Sequence, residues 1–231
     1  FENFNIDLMH GLSEQSLEEA MADLKQAIAL EPTHLSWYQL TIEQNTEYYR
    51  HPPKLPEDET LWDIQTAGVE LLKAAEFEQY EVSAFSKKGR EAQHNLNYWQ
   101  FGDYIGIGAG AHSKITMVEL INQSECILTD IIRYRKTRMP KDYLLPKPSF
   151  RIGQEGIASE DLGFEFLMNA LRLNHGAETS LFQERTGLAL TVLEPHLGEF
   201  RKMGLIEMDR LCTTEKGHLF LNSILEKFAD T

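Results

Sequence analysis

The sequence predicts an α/β protein in which a parallel sheet or barrel is followed by a small, mostly helical domain. Strands alternate with helices over the first half of the chain, a basic and proline-containing stretch follows, and the last third contains several helical segments. We therefore place the sheet or barrel in residues 1–132, a linker in residues 133–158 and the helical domain in residues 159–231. A chain of 231 residues suits about one and a half domains of ordinary size.

The chain begins with a predicted strand, helix and strand. Residues 4–9 form an apolar, strand-like run, and residues 34–42 form a second run that is rich in β-formers. Between them, Ser16 and Glu19 stand three places apart, the spacing at which two side chains cap a helix start. Apolar residues at helical spacing continue from there to about Leu30, which predicts one amphipathic helix.

Four further elements are predicted before the basic stretch. Residues 61–75, after the proline-containing loop 51–56, carry apolar side chains on one helical face. Residues 80–85 predict a short strand, and residues 103–112 predict a last strand that runs into a glycine-rich turn. From about residue 117 through residue 132 the apolar spacing predicts a helix that includes Ile127, Leu128, Ile131 and Ile132.

The stretch from residue 133 to residue 151 is strongly basic, with seven basic residues and one acidic residue. It also contains Pro140, Pro146 and Pro148, which favour an irregular crossing between domains. Two interpretations stand at this stage. The charges either keep a linker solvated or grip the carboxylates of a ligand.

The last third of the chain has the order of elements of a winged helix. Helices are predicted over residues 160–173, after Ser180 and over residues 191–203, where Gly204 stops the last of them; a hairpin and a closing helix follow. Winged helices often bind DNA, but this segment has more acidic than basic residues and lacks the charge to attract phosphates. We expect a cap or docking domain.

Composition excludes several classes of protein. The formal net charge of −14 opposes nucleic-acid binding, and no apolar run is long enough for membrane insertion, so we expect a cytoplasmic protein. Cys126 and Cys212 are too far apart and too few for a disulfide framework or an autonomous zinc or iron–sulfur site. The chain does not begin with Met, and we expect its natural beginning to lie upstream.

Three features suggest chemistry, each with a plainer alternative. Residues 106–111 (GIGAGA) fit the dinucleotide-binding fingerprint, but a turn that needs small residues has the same pattern. Asp7 lies in an apolar strand, where its carboxylate must be paired or face a ligand. His94, Asn95 and Tyr98 form a compact cluster in which the imidazole either ligates iron or hydrogen-bonds its own turn.

Taken together, five motifs resemble one known family. They are NIDLMHGL at residues 5–12, LSWYQLTIE at 35–43, QYE at 79–81, HNLNYW at 94–99 and GDYIGIG at 102–108. In this order they resemble the radical S-adenosylmethionine haem chaperones, which are similar to oxygen-independent coproporphyrinogen III oxidase. The resemblance continues through residues 164–173 and covers essentially the whole chain.

The resemblance implies the C-terminal part of a partial (β/α)6 radical-SAM barrel, followed by the small helical domain. It also implies three ligands: S-adenosyl-L-methionine, a 4Fe-4S cluster and haem. His94, Asn95 and Tyr98 match the family's His-Asn-x-x-Tyr motif for haem binding, with His94 as the ligand to iron. Asp7 and Thr41 match family positions that contact S-adenosyl-L-methionine.

The chain departs from the family in one decisive respect. The Cys-x3-Cys-x2-Cys motif that holds the cluster is absent, so this chain by itself cannot assemble the cluster. Ser13 also replaces the proline that usually follows Gly-Leu in the family. The resemblance implies a haem chaperone that delivers haem to acceptor proteins, in particular membrane-bound respiratory haem proteins; the alternative is a coproporphyrinogen III oxidase of porphyrin biosynthesis.

Overall fold

The computed structural model describes residues 1–120, 126–145 and 150–229. The chain divides into two compact units, Phe1–Ala92 and Gln93–Thr231, and each is described by itself. The described strands form three open sheets of four, three and two strands, which agrees with a partial barrel rather than a closed one.

In the first unit, strands and helices alternate as the sequence predicts. Its elements are β1 (Asn5–His10), α1 (Leu17–Ala29), β2 (His34–Gln39), α2 (Glu47–Arg50), α3 (Asp58–Ala74), β3 (Glu78–Glu81) and β4 (Ala84–Ser86). The strand order is β1-β2-β4-β3, with β1 and β2 parallel. Ser16 caps α1 in the predicted way, since its hydroxyl accepts from the Glu19 amide while the Glu19 carboxylate accepts from the Ser16 amide.

The single strand predicted over residues 80–85 is wrong, because two short strands joined by a turn occupy this region. β3 and β4 pair antiparallel, with a bulge between Gln79 and Glu81. The Glu81 carboxylate accepts a hydrogen bond from the Ser83 amide at 3.0 Å, which stabilises the turn. β4 therefore returns antiparallel between β2 and β3, and the sheet is mixed rather than wholly parallel.

The core of the first unit lies between the sheet and its two long helices. The buried residues are Ala20, Leu24 and Ala27 of α1, Ile64 and Leu72 of α3, and Leu35, Trp37, Phe77 and Phe85 on and beside the strands. The apolar residues of α1 and α3 recur at helical spacing, so each helix has one apolar face, which it turns toward the sheet. Burial of these two faces drives the packing of the helices on the sheet.

His10 ends β1 and gives the first unit a pH response. Its ring packs on the Trp37 indole, 4.2 Å between centroids. Burial lowers the pKa of His10 from 6.5 to about 4, although a hydrogen bond with Gln65 acts to raise it. Because the unfolded chain binds the proton at higher pH than the folded chain, the free energy of unfolding falls as the pH drops from about 6.5 towards 4.

The His10→Asn variant is expected to lose this part of the pH dependence. The full pKa difference corresponds to about 3 kcal/mol, and none of it applies above pH ~7. Urea unfolding of wild type and variant at about pH 7.5 and about pH 5 measures the difference. His51→Asn is the control, since His51 is exposed. A His10→Asn protein with the wild-type pH dependence would contradict the assignment.

The second unit combines an antiparallel sheet with a helical domain. Its elements are α4 (Gln93–Trp99), β5 (His112–Leu120), β6 (Cys126–Lys136), α5 (Pro140–Tyr143), β7 (Arg151–Gly156), α6 (Leu162–Ala170), β8 (Ala177–Glu178), α7 (Thr179–Thr186), a 3-10 turn (Leu190–Leu193), α8 (His196–Lys202), β9 (Arg210–Leu211), α9 (Glu215–Leu219) and α10 (Leu221–Ala229). β5, β6 and β7 pair in that order, and β8 pairs with β9.

The helix predicted over residues 117–132 is wrong, since β5 and β6 occupy the described part of this segment. Ile131 is buried in the core of the helical domain, whereas Val118 and Ile127 are exposed. β-branched residues suit such a half-covered antiparallel pair, and the helical spacing arose by coincidence. The strand predicted over residues 103–112 is also wrong: only Tyr104 bridges to β5, and the strand itself starts at His112.

Part of the predicted linker 133–158 is regular structure. Its described residues contain the end of β6, all of α5 and β7. Pro146 and Pro148 lie outside the described residues. The boundaries at residues 132 and 158 stay a prediction about how the chain is organised.

The helices predicted in the last third are confirmed, with one interruption. Residues 191–203 contain the end of the 3-10 turn and then α8, because Pro195 cannot donate a helical hydrogen bond. Gly204 ends α8 with φ +67, a conformation that favours glycine. The core beneath these helices includes Phe166, Leu171, Phe182, Leu197 and Leu211.

Candidate functional site

One face of the four-stranded sheet in the first unit is polar. The parallel register pairs Asn5 with His34 and Asp7 with Ser36, so these four side chains share a face. The Asn5 carboxamide oxygen accepts from the Ser36 hydroxyl at 3.2 Å and lies 2.7 Å from His34 Nδ1. The opposite face of the same strands packs against the helices. Polar residues therefore line the face that the helices leave uncovered.

His34 is the buried centre of this polar face. Its second nitrogen, Nε2, lies 2.7 Å from the Tyr80 hydroxyl. Burial lowers the pKa of His34, while the carboxylates of Asp7 and Glu91 act in the opposite direction. A neutral imidazole with both nitrogens bonded holds Asn5 and Tyr80 in place, which is a positioning role.

Asp7 is both paired and exposed. Asn5 donates from Nδ2 to the Asp7 carboxylate at 2.8 Å, and the side chain remains open to solvent. Thr41 is exposed in the loop after β2, with its hydroxyl 3.5 Å from the Gln39 carbonyl. Asp7 is level with Ser36 of β2, and Thr41 follows in the loop after the end of that strand.

The second predicted cluster lies on α4, in the second unit. His94 and Tyr98 are exposed, one helical turn apart on the same face, and Asn95 is half-buried. The short helix thus presents the imidazole and the phenol together to solvent. The structure brings His94, Asn95 and Tyr98 together as the motif predicts, and their role stays a prediction.

Aromatic contacts hold Tyr98 in position. Its ring lies 5.2 Å from the Tyr104 ring and 4.9 Å from the Trp99 ring. Burial, followed by the charge of Tyr98 and a hydrogen bond with it, raises the pKa of Tyr104. Trp99 in turn lies under the Arg172 guanidinium at 4.6 Å. The phenol of Tyr98 is therefore supported from two sides.

A buried lysine anchors the segment that carries Tyr104. Lys114 is 3% exposed, donates from Nζ to the Phe101 carbonyl at 2.9 Å and lies 3.5 Å from the Asp103 carboxylate. Burial lowers the pKa of Lys114, and Asp103 acts to raise it. Asp103 also accepts from the amide and hydroxyl of Thr116, at 2.9 and 2.8 Å. These bonds attach the GDY sequence at residues 102–104 to β5.

An ion pair connects β6 to the helical domain. Arg133 donates from both terminal nitrogens to Glu165 on α6, each at 2.6 Å. The pair raises the pKa of the Arg133 guanidinium. Bidentate geometry of this kind is among the stronger hydrogen bonds in proteins. Sequence reasoning missed this pair and the Lys114 contacts, because their partners are 32 and 11 residues apart and share no local motif.

Residues 106–111 form a turn, and the dinucleotide interpretation is wrong. The turn leads into β5 rather than into a helix, whereas the fingerprint needs a helix N-terminus for the pyrophosphate. Gly106 is required by packing: a Cβ there would lie 2.0 Å from the His112 carbonyl oxygen. The second alternative, a turn that needs small residues, is confirmed.

The described residues contain no group of three or more His, Cys, Asp or Glu side chains arranged to hold a metal ion. Cys212 is a buried thiol that lies 3.2 Å from the Asn174 carbonyl, and burial raises its pKa. The donor set for an iron–sulfur cluster is therefore not found among the described side chains. Likewise, no helix in the described ranges is long and apolar enough to cross a membrane.

The fold is similar to that of a solved radical SAM enzyme. The solved coproporphyrinogen III oxidase (HemN) from Escherichia coli, described as a radical SAM enzyme, superposes with a TM-score of 0.69. The match covers 97% of this chain and 54% of that chain, at 18% identity. Similarity at this level establishes a shared fold.

Comparison of sequences gives a more specific similarity than the shared fold does. Residues 157–220 match the HemN C-terminal domain family. The curated "Heme chaperone HemW" of Escherichia coli (strain K12) is 49% identical over 228 residues, and that of Haemophilus influenzae is 44% identical over 228 residues. Each match covers 98% of this chain and 57% of the relative, so the chain spans little more than half the length of these proteins. Over the part that it spans, this chain is similar in sequence to curated haem chaperones, and the resemblance read from its motifs is confirmed.

Proposed function

We propose that this chain forms the haem-binding part of a haem chaperone, which holds haem through His94 and passes it to acceptor haem proteins, including membrane-bound respiratory ones. The observation that carries the proposal is the exposed face of α4, where His94 and Tyr98 stand one turn apart. We take haem as the ligand because the relatives at 49% and 44% identity are named heme chaperones.

The residues around α4 suit a flat, apolar ligand with a metal at its centre. The imidazole of His94 is accessible, as an axial ligand to iron must be. Tyr98 and Tyr104 add aromatic surface, and the Ile105 and Ile107 side chains in the following turn are 76% and 87% exposed. We include these exposed apolar side chains in the proposed haem-binding surface.

Asp7 and Thr41 are proposed contacts to S-adenosyl-L-methionine, on the polar face of the sheet and beyond its strand end. Both are exposed and carry hydrogen-bonding oxygens, which fits a polar, extended ligand. A 4Fe-4S cluster does not fit the residues of this chain, because it needs thiolates and the sequence has two widely separated cysteines. Its ligands would have to come from outside this chain.

A haem titration of the full-length protein tests the proposal. We expect saturable binding with a Soret band typical of ligated haem, and an affinity at least about tenfold lower in His94→Ala, since the axial bond is lost. His51→Ala is the matched control, because it removes another exposed imidazole, in the first unit. A His94→Ala protein that remains folded and binds haem with the wild-type affinity and spectrum would refute the ligand assignment.

A second candidate function is that of a coproporphyrinogen III oxidase, and the shared fold with HemN is the observation that favours it. Anaerobic incubation of the full-length, cluster-loaded protein with coproporphyrinogen III, S-adenosyl-L-methionine, a low-potential reductant and an electron acceptor distinguishes the two. Formation of protoporphyrinogen IX supports the oxidase, and haem transfer to an acceptor without product supports the chaperone.

A further inference from the structure

An open cleft in the second unit is lined mainly by cationic side chains. Its volume is about 540 Å³, and its lining residues are Gly110, His112, Arg135, Lys136, Arg138 and Ile152. None of the six is acidic. The cleft lies between the glycine-rich turn and the ends of β6 and β7.

Backbone pairing builds this cleft. His112 at the start of β5 is level with Arg135 on β6, which places both side chains on one face of the sheet. The turn is fastened to the end of β6 because Gly110 donates to the Thr137 carbonyl at 2.8 Å and Lys136 donates to the Ala111 carbonyl at 2.9 Å. The cationic groups thus project from a rigid frame.

Gly153 makes room for the side chain of Arg135. A Cβ at Gly153 would lie 2.9 Å from Nε and 3.2 Å from Nη2 of Arg135. Gly110, with φ +72, lies beside Arg138, whose Cγ would be 4.0 Å from a Cβ at that position. The Arg135 guanidinium therefore runs over a backbone position that has no side chain of its own.

The positive charges of the cleft are not neutralised within the described part of the chain. Among these residues, no ion pair joins a carboxylate to Arg135, Lys136 or Arg138, although the whole chain carries a net charge of −14. Like charges held together raise the free energy of the folded protein unless an anion binds between them. Arginines in such an arrangement favour carboxylates, which they bind through two parallel hydrogen bonds.

A series of contacts connects the proposed haem face of α4 with the strand that starts at the cleft. Tyr104, which contacts Tyr98, is paired with Lys114 in an antiparallel bridge. His112 lies on the same face of β5 as Lys114, two residues or roughly 7 Å from it. A ligand that contacts both Tyr98 and the cleft would have to span these contacts.

We propose that this cleft binds the carboxylates of a tetrapyrrole, namely the propionates of haem, through Arg135 and Arg138. The inference rests on the proposed function and names a subsite that neither the motifs nor the names of the relatives assign. His94 would hold the metal, the cleft would hold the acidic edge of the ring, and the exposed Ile152 would add an apolar wall.

The test uses porphyrins without iron, which cannot bond to His94 through a metal. Full-length wild type, the Arg135→Gln/Arg138→Gln variant and His94→Ala are titrated with protoporphyrin IX and with its dimethyl ester, followed by fluorescence. We expect the arginine variant to bind the free acid about tenfold or more weakly and the ester as wild type does. His94→Ala is expected to bind both as wild type does.

The matched control is Arg90→Gln/Lys202→Gln, which removes the same amount of charge from exposed positions outside the cleft. A second variant, Gly153→Ala, keeps every charge but displaces Arg135 and should weaken binding of the free acid alone. Wild-type affinity of the arginine variant for protoporphyrin IX would overturn the inference. The inference would also be overturned if the wild-type protein bound protoporphyrin IX and its dimethyl ester equally well, or did not bind protoporphyrin IX at all. Unchanged haem binding in His94→Ala would instead count against the proposed function.

Discussion

Replacing Gly68 by alanine is expected to destabilise the first unit by about 2 kcal/mol or more. The added Cβ would lie 1.7, 2.3 and 2.6 Å from three atoms of the Trp37 ring. That ring is 2% exposed and packed between His10 and Phe85, so it has no space to move into. Alanine favours a helix over glycine by about 1 kcal/mol, which the steric clash outweighs.

Urea unfolding of full-length Gly68→Ala measures this loss, with Thr66→Ala as the control at an exposed position of the same helix. Trp37→Leu provides a second test. Because leucine leaves room for the new methyl group, Gly68→Ala should cost less in the Trp37→Leu background than in wild type. Equal costs in the two backgrounds would show that the clash with Trp37 is not the cause.

Replacing Gly106 by alanine is expected to loosen the glycine-rich turn and to reduce both stability and ligand binding. The Cβ would lie 2.0 Å from the carbonyl oxygen of His112 and 2.9 Å from its nitrogen, and backbone atoms cannot turn aside as a side chain can. Gly106 also donates to the Ser113 hydroxyl at 2.9 Å, a bond that the displaced turn would lose. A loss of about 2–3 kcal/mol is expected in the free energy of unfolding.

The turn carries one wall of the cationic cleft, so Gly106→Ala should also weaken protoporphyrin IX binding. Gly156→Ala is the control, because no atom lies within 4 Å of a Cβ there and the position belongs to the same sheet. Thermal unfolding and the porphyrin titration are measured on both variants. If Gly106→Ala melts and binds as Gly156→Ala does, the close approach of the turn to β5 has no energetic role.

Local sequence signals predicted those parts of the fold where neighbouring residues determine the structure. The capping pair Ser16 and Glu19 and the apolar stripe of α3 agree between sequence and structure, because a helix depends on contacts three and four residues apart. The segment containing Ile127 and Ile131 was wrongly predicted as helix. Its apolar residues fit both the helical period and the strand period of two residues, and pairing with β5 decides in favour of the strand.

The same distinction between local motifs and long-range contacts applies to the candidate site. The motif containing His94 and Tyr98 could be found in the sequence because its members lie on one short helix. The shared polar face of Asn5, Asp7, His34 and Ser36 could not be found in this way, since it depends on the register between β1 and β2. The basic residues were recognised as a stretch with two interpretations, and only their arrangement around the turn favours a carboxylate site.

By itself, the sequence determined the resemblance to a known family, the helical periods and the compact His94 motif, all of which are local patterns of residue type. The tertiary structure decided which groups meet across long separations: Arg133 with Glu165, Lys114 with Asp103, and His34 with Tyr80. These contacts depend on strand register and on the packing of α6 against the sheet. Such features arise only when the whole chain has folded, because no short segment contains both partners.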